Sequence, residues 1–271
     1  VFKARTPVEL EKFTTIVEKT FTLLKNTQQI DLFMTLLLRL FEKIPNSILI
    51  FTESQYKNIT RIIFDRMCHS SDYSLILCYN ILIKLICFNS YSLDQSQIDS
   101  LMTSTKVLLH TFNESSLMIL KNIKHIFRIK YFHAALFEYK IVTNLLQFCE
   151  QTGDIESSYS ALFCLWCFSY HSENIVYLHK IRVQFILSLS NVIHNFKKVK
   201  ILRMALYILN NITSFPELKS MTKSFLSFMA HNGLQDMLQS IIKGKFVKDA
   251  ELLSIMESLN AKIVQVLNDL S

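Results

Sequence analysis

The chain has few residue patterns that could carry catalysis or bind a metal, and the clearest of them is a Cys-x-x-Cys pair. Cys164 and Cys167 are three residues apart, a spacing found in zinc sites and in thiol redox motifs. A zinc site needs further ligands, but the sequence has no second Cys-x-x-Cys pair and no His-x-x-x-His nearby. The residues between the cysteines are Leu165 and Trp166, and no strand precedes them as a thioredoxin-like motif requires. We therefore interpret both cysteines as small apolar residues of a helix core.

Other patterns that would indicate catalysis are absent from the sequence. The eight histidines form no pair at metal-ligand spacing flanked by carboxylates, and there is no pair of carboxylates in apolar surroundings for acid–base catalysis. The sequence has no G-x-S-x-G nucleophile turn and neither common type of glycine-rich phosphate loop. We therefore predict no catalytic residue, no cofactor and no metal ion, and we expect a binding protein instead of an enzyme.

The composition favours long helices. Half of the 271 residues are hydrophobic, whereas glycine and proline occur only three times each. Sandwiches, barrels and glycine-loop nucleotide folds need such turn residues at many corners, so the composition argues against them. No apolar run reaches the roughly 18 residues of a membrane span, so we expect a soluble protein without direct membrane insertion. Cysteines that serve as core residues favour a reducing, cytosolic compartment.

The chain is moderately basic, with a formal net charge of +7. Two local clusters of basic residues are Lys121, Lys124, Arg128 and Lys130, and then Lys197, Lys198, Lys200 and Arg203. No nucleic-acid-binding motif accompanies these clusters, and charged helix faces are ordinarily solvated. An acidic protein partner explains the excess as well as nucleic acid does.

An internal repeat runs through the predicted helices. The segment that begins at Ser74 aligns with the segment at Ser116, 42 residues later, and with the segment at Ser160, 44 residues after that. Lys200 to Asn211 occupies the next position. A helical period of this length is typical of armadillo and HEAT units, which stack on a shared core. We predict an all-α fold, an armadillo/HEAT-like solenoid with a right-handed superhelix, forming one domain over residues 1–271.

Two predicted helices lie in the middle of the chain. Ser157 to Tyr170 contains the only tryptophan and has no glycine, proline or charge. A helix that is apolar nearly all round must be enclosed by other elements. We therefore predict a central buried helix with neighbours on at least two sides, and we place Phe163, Leu165 and Trp166 in its core. Upstream, the pattern predicts one helix from Phe132 to Phe148.

The central stretch resembles a known family. Tyr159, the run Phe163-Cys164-Leu165-Trp166 and Ser169-Tyr170 are similar to the Y-x-x-x-F-C-L-W-L-L-[SA]-F signature of the H subunit of the V-type proton-pumping ATPase. Further resemblances follow the family's order and spacing: Phe127-Arg128 with Phe132-His133; Lys200-Ile201-Leu202-Arg203 with Asn211; and Lys245-Phe246 with Asp249-Ala250-Glu251-Leu252, then Leu259, Val264 and Leu267. Cys167 and Phe168 replace the family's usual leucines, and His133 replaces an arginine. The resemblance is clear over residues 110–271 and faint before them. We expect residues 1–271 to be the family's N-terminal domain, without its smaller C-terminal domain.

The resemblance implies a non-catalytic regulatory role. It implies that the N-terminal solenoid binds the peripheral stator stalk, a coiled coil of the E and G subunits, and helps to couple the catalytic-sector subunits to the membrane sector, which contains the membrane-anchored a-type subunit. It further implies no small-molecule substrate, and a cytoplasmic location on the cytosolic face of vacuolar or endolysosomal membranes. A solenoid groove suits a helix or coiled coil, and the basic excess suits an acidic stalk segment.

Four residues are candidates for partner binding. Lys200 and Arg203 are one helical step apart and could meet partner carboxylates, although a solvated face explains them as well. Asn211 could hydrogen-bond the backbone of a bound segment or cap its own helix. Arg128 could contact a partner or pair internally with Glu138.

An alternative function from a different class fits the same features. An armadillo or HEAT-type adaptor that binds acidic peptides or nucleic acid would also be a solenoid with excess positive charge. Such an adaptor would show salt-sensitive binding to acidic peptides or RNA, whereas a member of the ATPase family would associate with the E–G stalk.

Overall fold

The computed structural model describes most of the chain from residue 53 onwards. The described residues are 53–67, 72–88, 93–110, 114–151, 154–195, 198–244 and 247–269. Eight helical positions before them are also described, namely 15, 19, 32, 34, 35, 37, 38 and 39. They fall into two compact units, Val1–Leu108 and Leu109–Ser271. The interpretation of residues 1–271 as one domain stays a prediction. Residues named above that lie outside the described residues are Lys197, Lys245 and Phe246.

The first unit has three described helices, α1 (Glu53–Met67), α2 (Asp72–Phe88) and α3 (Gln95–His110), the last of which ends just beyond the unit boundary. α1 packs against α2. Every residue from Ile76 to Ile83 is buried, so α2 is enclosed on nearly all sides. The hydroxyl groups of Tyr79 and Thr105 are hydrogen-bonded at 2.9 Å and join α2 to α3.

The second unit is built from short and medium-length helices. Its described α-helices are α4 (Glu114–Ile123), α5 (His133–Glu138), α6 (Ile141–Gln151), α7 (Ile155–Ser169), α8 (Ser172–Lys180), α9 (Arg182–His194), α10 (Val199–Ile212), α11 (Lys219–His231), α12 (Leu234–Lys243) and α13 (Ala250–Asn268), with 3₁₀ helices at Ile126–Arg128, Lys130–Phe132 and Pro216–Leu218. The described residues contain no β-strand. None of their helices is long and apolar enough to span a membrane.

The helix predicted from Phe132 to Phe148 is two helices, so this prediction is wrong. α5 ends at Glu138 and α6 begins at Ile141. Between them Lys140 adopts a positive φ of 62°, a left-handed conformation that an α-helix cannot contain and that non-glycine residues seldom adopt. The N–H of Lys140 is satisfied by the carbonyl of Phe137 at 2.9 Å, which closes the turn.

Four helices of the second unit form a row in which each packs against the next: α4, α7, α10 and α13. A second set, α6, α9 and α11, lies against this row, with α6 contacting α7, α9 contacting α10 and α11 contacting α13. α4, α7 and α10 contain the segments that the sequence repeat aligned from Ser116 onwards. Within this unit the repeat therefore corresponds to stacked helices, as a solenoid requires.

α7 is the central helix of the row. It packs against α4, α6 and α10, which confirms the predicted neighbours on at least two sides. Its fully buried side chains include Ala161, Leu162, Cys164 and Phe168, and burial of each large apolar side chain stabilises the fold by about 1.5–3 kcal/mol. The helix begins after Asp154, whose carboxylate accepts a hydrogen bond from the N–H of Ser157 at 2.7 Å.

We predict that Asp154→Ala lowers the free energy of unfolding of the second unit by about 1 kcal/mol, because the first turn of α7 loses its N-cap. Asp154→Asn keeps an acceptor oxygen and should cost only a few tenths of that amount. Urea denaturation followed by the fluorescence of Trp166 measures both changes. Equal unfolding free energies for the alanine and asparagine variants would contradict a capping role.

Candidate partner-binding surface

An aromatic stripe runs along one face of α7. Its members, Tyr159, Phe163, Trp166 and Tyr170, are spaced by four, three and four residues, which places them on the same side of the helix. The distances between successive ring centroids are 6.3, 5.4 and 5.0 Å. Tyr207 of α10 lies beside the aromatic stripe, with its ring centroid 6.5 Å from that of Trp166. Aromatic side chains of two neighbouring helices thus form one surface.

The aromatic stripe differs from the prediction of three core residues. Leu165 is 1% exposed, whereas Phe163 and Trp166 are only partly buried, and Tyr170 at the end of the stripe is 57% exposed. The reason is that α4, α6 and α10 cover only part of the circumference of α7. A row of helices encloses each member incompletely, so the apolar residues on the remaining side stay accessible to solvent.

Two cations lie over rings of the aromatic stripe. The guanidinium carbon of Arg128 is 5.4 Å from the ring centroid of Phe163, and the ammonium nitrogen of Lys200 is 5.1 Å from that of Tyr159. Both residues are exposed, and in the described part of the chain neither forms an ion pair with a carboxylate, Glu138 included. Cation–π attraction at such exposed sites contributes about 0.5–1 kcal/mol. The guanidinium of Arg128 also interacts with the side chain of Cys167.

Arg203 and Asn211, by contrast, are used within the chain. Arg203 forms an ion pair with Asp249, the residue that caps the N-terminus of α13. The side-chain amide of Asn211 donates a hydrogen bond to the hydroxyl oxygen of Ser169 at 2.9 Å. These two interactions tie α10 to its neighbours α13 and α7. Of the four candidates, Arg128 and Lys200 are therefore more accessible to solvent than Arg203 and Asn211.

The carboxylates beside the aromatic stripe are also engaged. Glu156 of α7 pairs with Lys121 of α4 at 2.7 Å. Glu251 of α13 accepts a hydrogen bond from the hydroxyl of Tyr207 at 2.6 Å, and this bond raises the pKa of that hydroxyl. Asp249 is neutralised by its arginine. Among the described residues at this surface, Arg128 and Lys200 are therefore cations without an ion-pair partner, whereas the carboxylate of Glu251 is bonded to a neutral hydroxyl.

A family model that describes the H subunit of the V-ATPase matches residues 4–263. This range includes the aromatic stripe and all four candidate residues. The chain belongs to the V-ATPase H-subunit family. The resemblance of residues 110–271 to the N-terminal domain of that family is thus confirmed and extends over nearly the whole sequence. No curated protein gives a significant match to the sequence.

Members of this family are regulatory, non-catalytic and peripheral in the V-ATPase complex. Membership in the family therefore places the chain among the components of that complex. In the described part of the chain, no group of three or more His, Cys, Asp or Glu side chains could hold a metal ion.

Solved structures that resemble the chain show an armadillo fold. An engineered protein of the Northeast Structural Genomics Consortium aligns with a TM-score of 0.64 at 14% identity, over 92% of this chain and 97% of that one. A designed armadillo repeat protein in complex with the peptide (KR)4 aligns with a TM-score of 0.61 at 13% identity, over 94% of this chain and 99% of that one. A second designed armadillo repeat protein aligns with a TM-score of 0.63 at 12% identity, over 91% of this chain and 98% of that one. At these identities the likeness concerns the fold, and it confirms the predicted all-α solenoid.

The sequence did not indicate that Tyr159, Tyr170 and Tyr207 belong to a surface, although a signal was present. The aromatic residues of α7 follow a 4-3-4 spacing, whereas the residues between them are aliphatic, small or sulfur-containing, apart from Phe168. Such a segregation of side-chain types around one helix marks two different faces. Tyr207 has no comparable signal, because its position beside Trp166 depends on how α10 packs.

His133, at the position where the family motif has an arginine, is buried and makes two hydrogen bonds. Its Nδ1 is 2.9 Å from the side-chain amide nitrogen of Asn174, and its Nε2 is 3.0 Å from the carbonyl oxygen of Phe127. Because an amide nitrogen only donates, Nδ1 accepts and Nε2 carries the proton that it donates. The Asn174 amide also donates to the carbonyl of Phe168 at 2.8 Å, which fixes its orientation. Burial lowers the pKa of His133.

The Cys-x-x-Cys pair, a spacing also found in metal and redox sites, lies in the core. Cys164 and Cys167 are buried and form no disulfide bond, as is true of Cys78 and Cys149, whereas Cys87 is exposed. Burial raises the pKa of Cys149, Cys164 and Cys167. A buried, protonated thiol is a poor nucleophile. The interpretation of the Cys-x-x-Cys pair as core residues is therefore confirmed.

We predict that the free energy of unfolding of the second unit falls as the pH decreases from 7.5 to 5.5. The folded chain holds the pKa of His133 below its ordinary value of about 6.5, so below that pH the unfolded chain binds a proton that the folded chain excludes. The His171 ring, 4.7 Å away, acts in the same direction as burial, while the Glu173 carboxylate opposes it.

The comparison that isolates His133 is His133→Gln against His194→Gln, an exposed control. Urea denaturation at each pH should give a shallower slope for His133→Gln, by up to about 1.4 kcal/mol per pH unit. His194→Gln should keep the slope of the unmodified chain. Parallel profiles for all three proteins would refute the assignment.

We also predict that native thiol labelling separates the cysteines by burial. In a Cys68→Ser background, a maleimide at neutral pH should modify Cys87 and spare Cys149, Cys164 and Cys167 until denaturant is added. Mass spectrometry of peptides after timed quenching measures each site. Modification of the Cys-x-x-Cys pair at the rate of Cys87 in the native protein would show that the core interpretation is wrong.

Proposed function

We propose that this chain is a non-catalytic regulatory subunit of the vacuolar-type proton-translocating ATPase. It binds the peripheral stator stalk formed by the E and G subunits and helps to couple the soluble ATPase sector to the membrane sector. The observation that carries this proposal is the family match over residues 4–263. The chain would act by binding and not by turnover, on the cytosolic face of vacuolar or endolysosomal membranes, in contact with catalytic-sector subunits and with the a-type subunit of the membrane sector.

The row α4, α7, α10 and α13 supports a partner-binding role for the second unit. It presents aromatic side chains with Arg128 and Lys200 over them, and these cations suit an acidic segment of a stalk helix by electrostatic complementarity. Arg203 and Asn211 contribute indirectly in this proposal, because their interactions with Asp249 and Ser169 hold the helices that display the surface.

A second candidate function is that of an armadillo-type adaptor for acidic peptides or nucleic acid. The observation that favours it is the combination of partly accessible aromatic rings with cations that have no ion-pair partner among the described residues of a solenoid fold, since both features also suit single-stranded nucleic acid. The two functions differ in their partners, so a search for bound molecules distinguishes them.

We predict that the tagged chain, incubated with solubilised membranes and cytosol at near-physiological salt, retains E and G stalk subunits and catalytic-sector subunits of the proton pump. Mass spectrometry of the bound fraction identifies them. The fold-matched control is a designed armadillo repeat protein, which is about as long and 13% identical and should retain none of these subunits. Recovery of RNA or unrelated proteins without any pump subunit would overturn the proposal and support the adaptor.

A further inference from the structure

The aromatic stripe has the composition of the centre of a protein interface. Such centres are enriched in aromatic residues and arginine, and they are depleted of acidic side chains. Here Phe163 and Trp166 stay partly accessible in a helix whose other apolar residues are mostly buried. Apolar surface left in water is unfavourable by about 25 cal/mol per Å², so a partner that covers the stripe gains that free energy.

The charges around the aromatic stripe indicate which charge a bound segment should carry. Arg128 lies over Phe163 and Lys200 over Tyr159, and neither cation forms an ion pair with a carboxylate of the residues that the structure describes. Lys124, four residues before Arg128, adds a third positive charge near α7. A guanidinium over a ring can still donate N–H groups to a carboxylate, and that of Arg128 also interacts with the side chain of Cys167.

A basic ligand does not fit this surface. Aromatic faces can bind cations, but here Phe163 and Tyr159 already have cations over them, and a further positive charge would meet repulsion. Nucleic acid fits less well than an acidic peptide for a different reason. Its backbone has a phosphate at every residue and would bring some of them near the carboxylate of Glu251, whose partner is a neutral hydroxyl. A peptide can place carboxylates only where the cations lie.

We propose that the aromatic stripe, with Arg128 and Lys200, binds an acidic peptide segment whose carboxylates pair with these two cations and whose aliphatic or aromatic side chains pack on Trp166. This inference rests on the proposed function, because it assigns a contact chemistry to the proposed partner surface.

The chain contains its own probe for this site. Trp166 is the only tryptophan and lies in the middle of the aromatic stripe, so a segment that covers it must change its fluorescence. The titrant is a synthetic peptide of alternating glutamate and leucine, which has no fluorescence of its own in this range. We expect a saturable blue shift that weakens as salt is raised, since ion pairs at an accessible surface are screened.

Charge reversal at the two cations tests the assignment of residues. Arg128→Glu and Lys200→Glu should each weaken peptide binding about tenfold or more, as expected for side chains that dominate an interface. The matched control is Lys180→Glu, which removes a lysine that lies over the rings of Phe137 and Tyr177, 5.8 and 5.4 Å away, elsewhere in the same unit. This control should bind like the unmodified chain. Lys200→Gln provides a milder variant if either reversal disturbs folding in circular dichroism.

Three outcomes would overturn the inference. The first is no saturable change in fluorescence with the acidic peptide. The second is equal or tighter binding of a peptide with lysine in place of glutamate, or of oligouridine. The third is unchanged affinity in folded Arg128→Glu and Lys200→Glu variants.

The same variants separate this inference from the proposed function. If the unmodified chain retains stalk subunits and the Arg128→Glu/Lys200→Glu double variant retains them equally, the stalk association stands and the assignment of its surface is wrong. If the unmodified chain binds the acidic peptide through Arg128 and Lys200 but retains no pump subunit, the site stands and the proposed function fails.

Discussion

The packing of α7 between α4 and α10, on top of α6, is the interaction on which the second unit depends. Residues such as Leu162, Leu165 and Phe168 are fully buried there. Without α7, the apolar surfaces of α4, α6 and α10 that contact it would be exposed to water. In a stacked array each helix shares its core with the next one, so stability is a sum of local interfaces. This arrangement also dictates that a helix in the row is covered by neighbours on part of its circumference only. The residues on the uncovered side of such a helix therefore do not have to pack against a neighbouring helix.

Polar interactions between helices of the row are few among the described residues, and several link side chains about one repeat apart. Asn211 reaches Ser169 on α7, and Tyr207 reaches Glu251 on α13. Ser169 is buried and the Tyr207–Glu251 pair is exposed, and a single hydrogen bond contributes only about 0.5–1.5 kcal/mol net, so apolar packing contributes more to the stability of the row. The effect of these hydrogen bonds is to fix the lateral position of one helix against the next, because a hydrogen bond needs its partners within a narrow range of distance and angle. The result is a defined spacing between the rings of α7 and the ring of Tyr207.

The sequence was sufficient to predict the fold class, the repeat and the neighbours of α7 on at least two sides, because these follow from composition and from the pattern of apolar residues. It was not sufficient to place the break at Lys140, since a left-handed lysine has no distinguishing pattern of its own. It also led to the wrong burial for Phe163 and Trp166. A helix that is apolar all round predicts many neighbours, but periodicity alone cannot say which side those neighbours leave uncovered. That information resides in the contacts of α4 and α10 with α7, which are tertiary.

The likeness to designed armadillo proteins shows why the fold cannot identify the ligand. One of them is solved with the peptide (KR)4, and its fold is similar to that of this chain. A basic peptide and the cations held over Phe163 and Tyr159 would repel each other, so the shared fold does not carry over the ligand. What a solenoid binds is decided by the side chains on the uncovered side of its helices. In this chain those side chains include aromatic rings with cations over two of them, so a molecule that binds there has to be compatible with both.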